Sequence, residues 1–230
     1  MAELIDFLED RMFSNALNVS FPDQPYMTRI EFLEKICTQK NVVHIGFADH
    51  LEVIENKIKN NQYLHKRLLN VAKRCFGIDI NCNAVEFVKT KYNMSDVYCL
   101  DVLVDDLPEA FFQIKWDYVL LPEIIEHVDN PVIFLSQIKV KFQNICDYVI
   151  ITTPNAFRIS NFEYALRGME LINSDHRYWF TPYTLMKVVT KAGLRVVDIY
   201  FADSFVDERN RVLTTKIPLL REDLILMASF

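Results

Sequence analysis

From Asn41 onward the chain alternates short apolar runs with longer stretches of helical spacing or composition. The apolar runs cover residues 42–45, 75–78, 97–100, 118–121, 148–152, 195–201 and 224–230, and each reads as a strand. Between them, residues 64–73, 83–92, 107–113, 132–142 and 182–192 read as helices. This alternation predicts βαβ units and an α/β fold: a seven-stranded, mostly parallel sheet between two layers of helices. The last run follows residues 206–221, which show no long crossover helix, so the last strand is expected to run antiparallel.

Ahead of this pattern, residues 2–20 and 27–39 read as two helices separated by Phe21-Pro22-Asp23-Gln24-Pro25, whose prolines punctuate the break. Leu4, Ile5, Leu8, Met12 and Leu17 give the first of them an apolar stripe that predicts packing on the domain. The expected organisation is a helical extension over residues 1–39 and one α/β domain over 40–230. No internal repeat or low-complexity segment interrupts it.

The composition narrows the partners. A formal net charge of -6 and the lack of a basic stripe argue against a nucleic-acid partner. No apolar run reaches the ~18 residues that span a bilayer, and the acidic start lacks the basic region of a signal peptide. The expectation is therefore a cytoplasmic protein with no membrane partner, as a monomer or homodimer. Cys37, Cys75, Cys82, Cys99 and Cys146 are odd in number and contain no C-x-x-C pair. They read as free thiols in a reducing compartment, with neither a disulfide framework nor a metal site.

The chain has only 4 glycines in 230 residues, and one of them breaks the apolar run Val42-Val43-His44-Ile45-Gly46-Phe47-Ala48-Asp49-His50. A second run, Phe76-Gly77-Ile78-Asp79-Ile80, ends in a carboxylate. In an open α/β sheet, ligands bind at the carboxyl ends of the strands, so a turn at Gly46 and an acid at Asp79 would hold a nucleoside. Of the three glycines that let a pyrophosphate approach the backbone only Gly46 is present, and a P-loop is missing. Asp79 is also in place to cap the helix that follows it, and both readings stand at this point. Asp101 places another acid at the tip of the next strand, which capping explains less readily.

Val42-Val43-His44-Ile45-Gly46-Phe47, Gly77-Ile78-Asp79-Ile80, Leu100-Asp101-Val102, and Trp116-Asp117-Tyr118-Val119 through Glu126-His127-Val128 follow one another in a familiar order. With Ile151-Thr152-Thr153-Pro154-Asn155, Phe180-Thr181-Pro182-Tyr183-Thr184-Leu185 and Ala192-Gly193-Leu194, the chain resembles class I S-adenosylmethionine-dependent methyltransferases. The resemblance covers roughly residues 40–201 and implies a Rossmann-like fold with S-adenosylmethionine as cofactor. Gly46 would let the backbone approach the methionine part. His44 stands where the family usually has an acid for the cofactor amine, and His50, like Ala48, stands where it usually has a glycine. His50 is expected to meet the cofactor carboxylate instead. Asp79 would accept the ribose hydroxyls with Ile80 against the adenine, and Asp101 would face the adenine amino group with Val102 beside the ring. Leu121 and Pro122 would line the cofactor side of the transfer cleft and Glu123 its acceptor side.

Two histidines are candidate general bases, since imidazole titrates near working pH. His127 follows the fourth strand. His176 lies in Asn173-Ser174-Asp175-His176-Arg177-Tyr178-Trp179-Phe180, a loop rich in groups that meet substrates. Arg177 would meet an anionic group, and Tyr178 and Trp179 would stack on a sugar or ring; a packed aromatic loop is the alternative. The segment is similar to those of bacterial methyltransferases of surface-glycan and secondary-metabolite building blocks. The reading is methyl transfer to oxygen or nitrogen of a small acceptor, such as a sugar. A catalytically impaired scaffold or partner subunit is the alternative, ahead of an NAD(P)-dependent oxidoreductase.

Overall fold

The computed structural model describes residues 2–206 and 208–230; Met1 of the extension and Asp207 of the last connection lie outside them. Two helices, α1 (Ala2–Leu8) and α2 (Arg29–Cys37), precede β1 (Asn41–Ile45). Then come α3 (Leu51–Lys59), α4 (Leu64–Val71), β2 (Arg74–Asp79), α5 (Cys82–Tyr92), β3 (Val97–Cys99) and β4 (Trp116–Pro122). The second half adds α6 (Pro131–Phe142), β5 (Cys146–Pro154), α7 (Ile159–Ala165), α8 (Pro182–Lys191), β6 (Arg195–Ala202), α9 (Arg211–Lys216) and β7 (Asp223–Ser229).

The strands form one sheet in the order β3-β2-β1-β4-β5-β7-β6. β1 pairs in parallel with β2 on one side and β4 on the other, so the winding reverses beside β1 and opens a crevice at the strand ends. β7 is the antiparallel strand, inserted between β5 and β6. Both sheet faces are covered, which is why the strands read as continuous apolar runs. Val43, Ile45, Ile78, Val119 and Leu121 join the core shared with Leu135, Ile138, Leu185 and Val189 of α6 and α8. On the other face Val42, Cys75, Leu120 and Ile150 pack with Leu33 of α2 and Leu68 of α4.

The first helix is much shorter than its apolar stripe predicts. α1 ends at Leu8, Asp10 turns the chain at φ +60°, and Met12 is 54% exposed. Ion pairs of Asp10 with Lys187 and Lys191 hold that turn on α8. A further helix, α3, lies between β1 and α4, and the helix expected at 107–113 is a 3-10 turn over Glu109–Gln113. The cysteine expectation is corrected as well. Cys37, Cys75 and Cys146 are buried and free, but Cys82 and Cys99 form a disulfide with Cα atoms 5.0 Å apart. Parallel pairing sets Cys99 opposite Asp79, so the end of β3 lies beside the start of α5, which spacing alone does not reveal. Among the described residues, no helix is long and apolar enough to cross a membrane.

The segment before α2 is fixed to the far edge of the sheet. Thr28 caps α2 in a reciprocal box with Glu31 and bridges Asp203 just beyond β6. Arg221 is fully buried and donates from Nε to the Thr214 carbonyl, from Nη1 to those of Pro25 and Phe201, and from Nη2 to that of Gln24. Arg221→Met keeps much of the packing but strands these acceptors. It is expected to cost roughly 3 kcal/mol of folding stability, read as a lowered urea midpoint. An unchanged midpoint would show that the extension is held by other contacts.

Candidate functional site

Gly46 ends β1 at φ +67°, and a Cβ there would fall 2.8 Å from Cδ1 of Ile124. A side chain is therefore excluded both by backbone conformation and by the neighbouring chain. Gly77 is equally constrained in space, since its Cβ would meet Cδ1 of Phe47 at 2.7 Å and Cγ1 of Val97 at 2.9 Å. Phe47, where a more open turn would be expected, is buried over that glycine. The turn nonetheless presents its backbone to the acid of the next strand. Ala48 N donates to Asp79 Oδ2 at 2.9 Å, and Asn81 N donates to Asp79 Oδ1 at 2.9 Å. Burial raises the pKa of Asp79, and the bonds from Asn81 and Ala48 oppose that rise. Capping of α5 falls to Asn81, whose side chain accepts from Ala84 N, so Asp79 is not the helix cap.

Asp79 lines a cavity of about 360 Å³ at the switch point, with Gly46, Ile80, Asp101, Val102, Ile124 and His127 among its walls. Ile80 is 74% exposed there, so a flat ring laid against it would remove apolar surface from water. Asp101 is oriented by its own turn: Oδ1 accepts from Leu103 N, and its backbone N donates to Asp105 Oδ2. Six expected site residues thus meet in one cavity. Three larger hollows, of about 450, 460 and 600 Å³, flank α1 and contain none of these strand-end acids.

Other expected cofactor contacts lie elsewhere. His44 is 2% exposed, with Nδ1 3.2 Å from Nδ1 of His65, and burial followed by His65 holds its pKa well below the ordinary value. Strand alternation explains this: His44 shares the face of Val42, whereas Val43 and Ile45 face the core below the cavity. His50 is exposed at the start of α3, with no side-chain capping bond. Leu121 and Pro122 are buried in β4, whose partners are Ile151 and Thr152 of β5.

On the acceptor side, the chain leaves β4 through Glu123 at φ +54°, a conformation costly for a residue with a side chain. Its carboxylate is held by Arg29 (Nη1–Oε1 2.5 Å) and by Thr152, whose Oγ1 donates to Oε1 at 2.9 Å. Arg29 also approaches Asp223 at 3.6 Å. No sequence pattern pointed to Arg29, a single arginine opening a helix in the extension. The turn then carries Glu126 and His127. Glu126 is fully buried; its Oε2 accepts from Thr153 Oγ1 at 3.0 Å, while Oε1 has no hydrogen-bond partner.

The rings of His127 and His176 meet edge to face with centroids 4.6 Å apart. Ligand-type atoms of Glu126, His127 and His176 lie within 4.8 Å of one another. His176 Nδ1 is buried without a partner, and burial, followed by His127, holds its pKa below the ordinary value. The chemistry of this donor set, one carboxylate and two imidazoles with two buried unpartnered atoms, fits a divalent cation. Sequence reasoning weighed the two histidines separately and missed their junction, which spans 49 positions of chain. The rest of the loop is engaged with its own neighbours. Arg177 pairs with Asp129 at 2.7 Å and donates to the His127 carbonyl, and Tyr178 Oη donates to the Asp129 carbonyl at 2.7 Å. Trp179 Nε1 donates to Glu170 at 3.0 Å, with the Arg158 guanidinium 4.7 Å from the ring.

Burial, and then the charge of Glu123, pushes the Glu126 carboxyl up to about 8 from an ordinary 4.5. The folded state therefore binds this proton more tightly than the unfolded chain, and stability falls as pH rises from about 4.5 towards 8. Glu126→Gln removes that loss. With a chelator present, its melting temperature should match the parent near pH 5 and exceed it near pH 8.5. A variant less stable than the parent at the higher pH would show that the ionised carboxylate is well accommodated.

A family model described as a methyltransferase domain matches residues 29–199. Among curated proteins, none matches the sequence. The fold is similar to that of the small RNA methyltransferase HEN1, with TM-score 0.58 and 14% identity over 92% of this chain and 27% of that longer one. It is also similar to the methyltransferase domain of bacterial CtHen1, with TM-score 0.52 and 17% identity over 86% of this chain and 94% of that one. Magnesium protoporphyrin IX methyltransferase from Synechocystis PCC 6803, solved with bound SAH, gives TM-score 0.51 and 11% identity over 86% of this chain and 77% of that one. With a cavity at the switch point lined by Asp79 and Asp101 and a family match over most of its length, the chain belongs to the class I S-adenosylmethionine-dependent methyltransferases.

Proposed function

We propose that this protein is an O-methyltransferase that acts on a hydroxyl of a small acceptor, a sugar first among them, with the help of a divalent cation. The carrying observation is that His127 belongs both to the cofactor cavity and to the cluster with Glu126 and His176. A donor set for a divalent cation thus adjoins the place where the methyl group is delivered, and a hydroxyl is an acceptor such a cation activates.

S-adenosylmethionine would supply an electrophilic methyl group on its sulfonium. The acceptor oxygen would take it as the C–S bond breaks and S-adenosylhomocysteine leaves, with the hydroxyl proton released to solvent. The protein's task is to place that oxygen in line. Asp79 receives the ribose hydroxyls, its carboxylate already aimed by Ala48 and Asn81. Asp101 and Ile80 address the adenine. Glu126, His127 and His176 would hold the cation, which would polarise the acceptor hydroxyl as a Lewis acid. Burial lowers the His176 pKa, which favours the uncharged ring that a cation needs as a ligand, and its Nδ1 has no other partner. Glu123, fixed by Arg29 and Thr152, forms the acceptor-side wall.

A terminal ribose of RNA is the second reading, favoured by the likeness to HEN1 and by the adjacent hydroxyls such a terminus would offer a cation. The net charge of -6 favours the small acceptor.

Calorimetry with S-adenosylhomocysteine tests the cofactor half. Asp79→Asn should bind at least tenfold more weakly than the parent, about 1.4 kcal/mol, and equal affinity would remove Asp79 from the ribose. Methyl transfer from labelled cofactor to a panel of sugars, nucleosides and short RNA tests the acceptor half. Activity should require Mn²⁺ or Mg²⁺, disappear with EDTA, and fall on the order of 100-fold in His176→Ala, since Lewis-acid stabilisation is worth several kcal/mol. Full activity in EDTA would overturn the cation reading. Transfer to RNA alone would select the second reading, and cofactor binding with no transfer across the panel would favour a scaffold.

A further inference from the structure

Two consecutive residues of the His176 loop bond to one turn. Arg177 N donates to the Glu126 carbonyl at 2.8 Å, its Nη1 donates to the His127 carbonyl, and its Nε pairs with Asp129 Oδ1 at 2.7 Å. Tyr178 then donates from Oη to the Asp129 carbonyl at 2.7 Å. The turn so gripped is the one that carries Glu126 and His127, and the residue immediately before the grip is His176. Its backbone is held as well, with N donating to the Asn173 carbonyl at 3.0 Å. Beyond the grip the chain rejoins the sheet, where Phe180 bridges Asn155 just past β5 and accepts from Ala156 N.

We propose that Arg177 and Tyr178 are positioning residues that couple the two halves of the cation site, rather than groups that touch the acceptor. The inference rests on the cation-assisted reading above. Glu126 and His127 reach the site from the end of β4, whereas His176 reaches it from a loop whose residues 171–175 are all exposed. Without the grip, His176 would be placed by an exposed loop alone. With it, the imidazole is referenced to the same peptide units that place its partners. Groups that orient metal ligands in this way typically govern affinity by about 10–100-fold.

Charge must be kept constant in the test, because removing a cation beside the site would by itself favour metal binding. Tyr178→Phe deletes one hydrogen bond and no charge. Arg177→Lys keeps the charge and loses the planar fork that reaches the His127 carbonyl and Asp129 together. Each variant is titrated with Mn²⁺ by electron paramagnetic resonance and with S-adenosylhomocysteine by calorimetry. Mn²⁺ should bind about tenfold more weakly in each variant and weaker still in the double variant, while S-adenosylhomocysteine affinity stays within about twofold of the parent.

Variants that bind both ligands like the parent would overturn the positioning role and leave the cation reading standing. Parallel loss of both ligands would mark a general structural role and overturn it too. A parent protein that binds no Mn²⁺ would overturn the cation reading and this inference with it.

Discussion

The carboxylate of Asp79 is the constraint on which the crevice at the ends of β1 and β2 depends. One oxygen accepts the backbone of the turn after β1 and the other that of the turn after β2, so a single side chain ties both strand exits together. It explains how a turn poor in glycine keeps its shape. The backbone N–H of Ala48 is aimed by a fixed acceptor, while Gly46 and Gly77 remain at the two positions where a side chain would collide with Ile124 or Phe47. The turn also packs on the next strand, with Phe47 buried above Gly77.

The acceptor half depends on charge. Glu123, Glu126 and Asp223 crowd the ends of β4 and β7, and Arg29 is the cation that faces Glu123 and Asp223. That arginine comes from the segment before β1, which Arg221 and the Thr28–Asp203 bridge fix in place. The segment before β1 is thus tied to the turn after β4 through Arg29. Its contribution is a guanidinium that offsets a buried carboxylate and the strain of a left-handed turn at Glu123.

Much of the sheet was legible because burial on both faces writes each strand as an apolar run, and Asp79 and Asp101 stood out as acids closing such runs. The failures have physical causes. Met12 and Leu17 continue a helical stripe on paper, but the ion pairs of Asp10 hold the chain in a turn after α1. His44 sits two positions before Gly46 and was read as a cofactor contact, yet strand alternation turns it towards His65. Arg177 and Tyr178 looked like substrate groups by type, and only the fold reveals that the turn after β4 takes up their polar atoms. The meeting of Glu126, His127 and His176 belongs to tertiary structure, since no local spacing joins a strand-end turn to a loop beyond β5.

The placement of β7 also bears on how the molecule assembles. β6 has β7 as its partner in the sheet, and β7 in turn takes its register from β5, which lies far earlier in the chain. The β3-β2-β1-β4-β5 portion can zip up through parallel pairings as its segments become available, whereas β6 must wait for a strand that arrives after it. Closing such distant loops is slow, because chain entropy is spent before the contacts form. The strands around the switch point are thus topologically able to pair first, and β6 joins the sheet last, when β7 enters between its two neighbours.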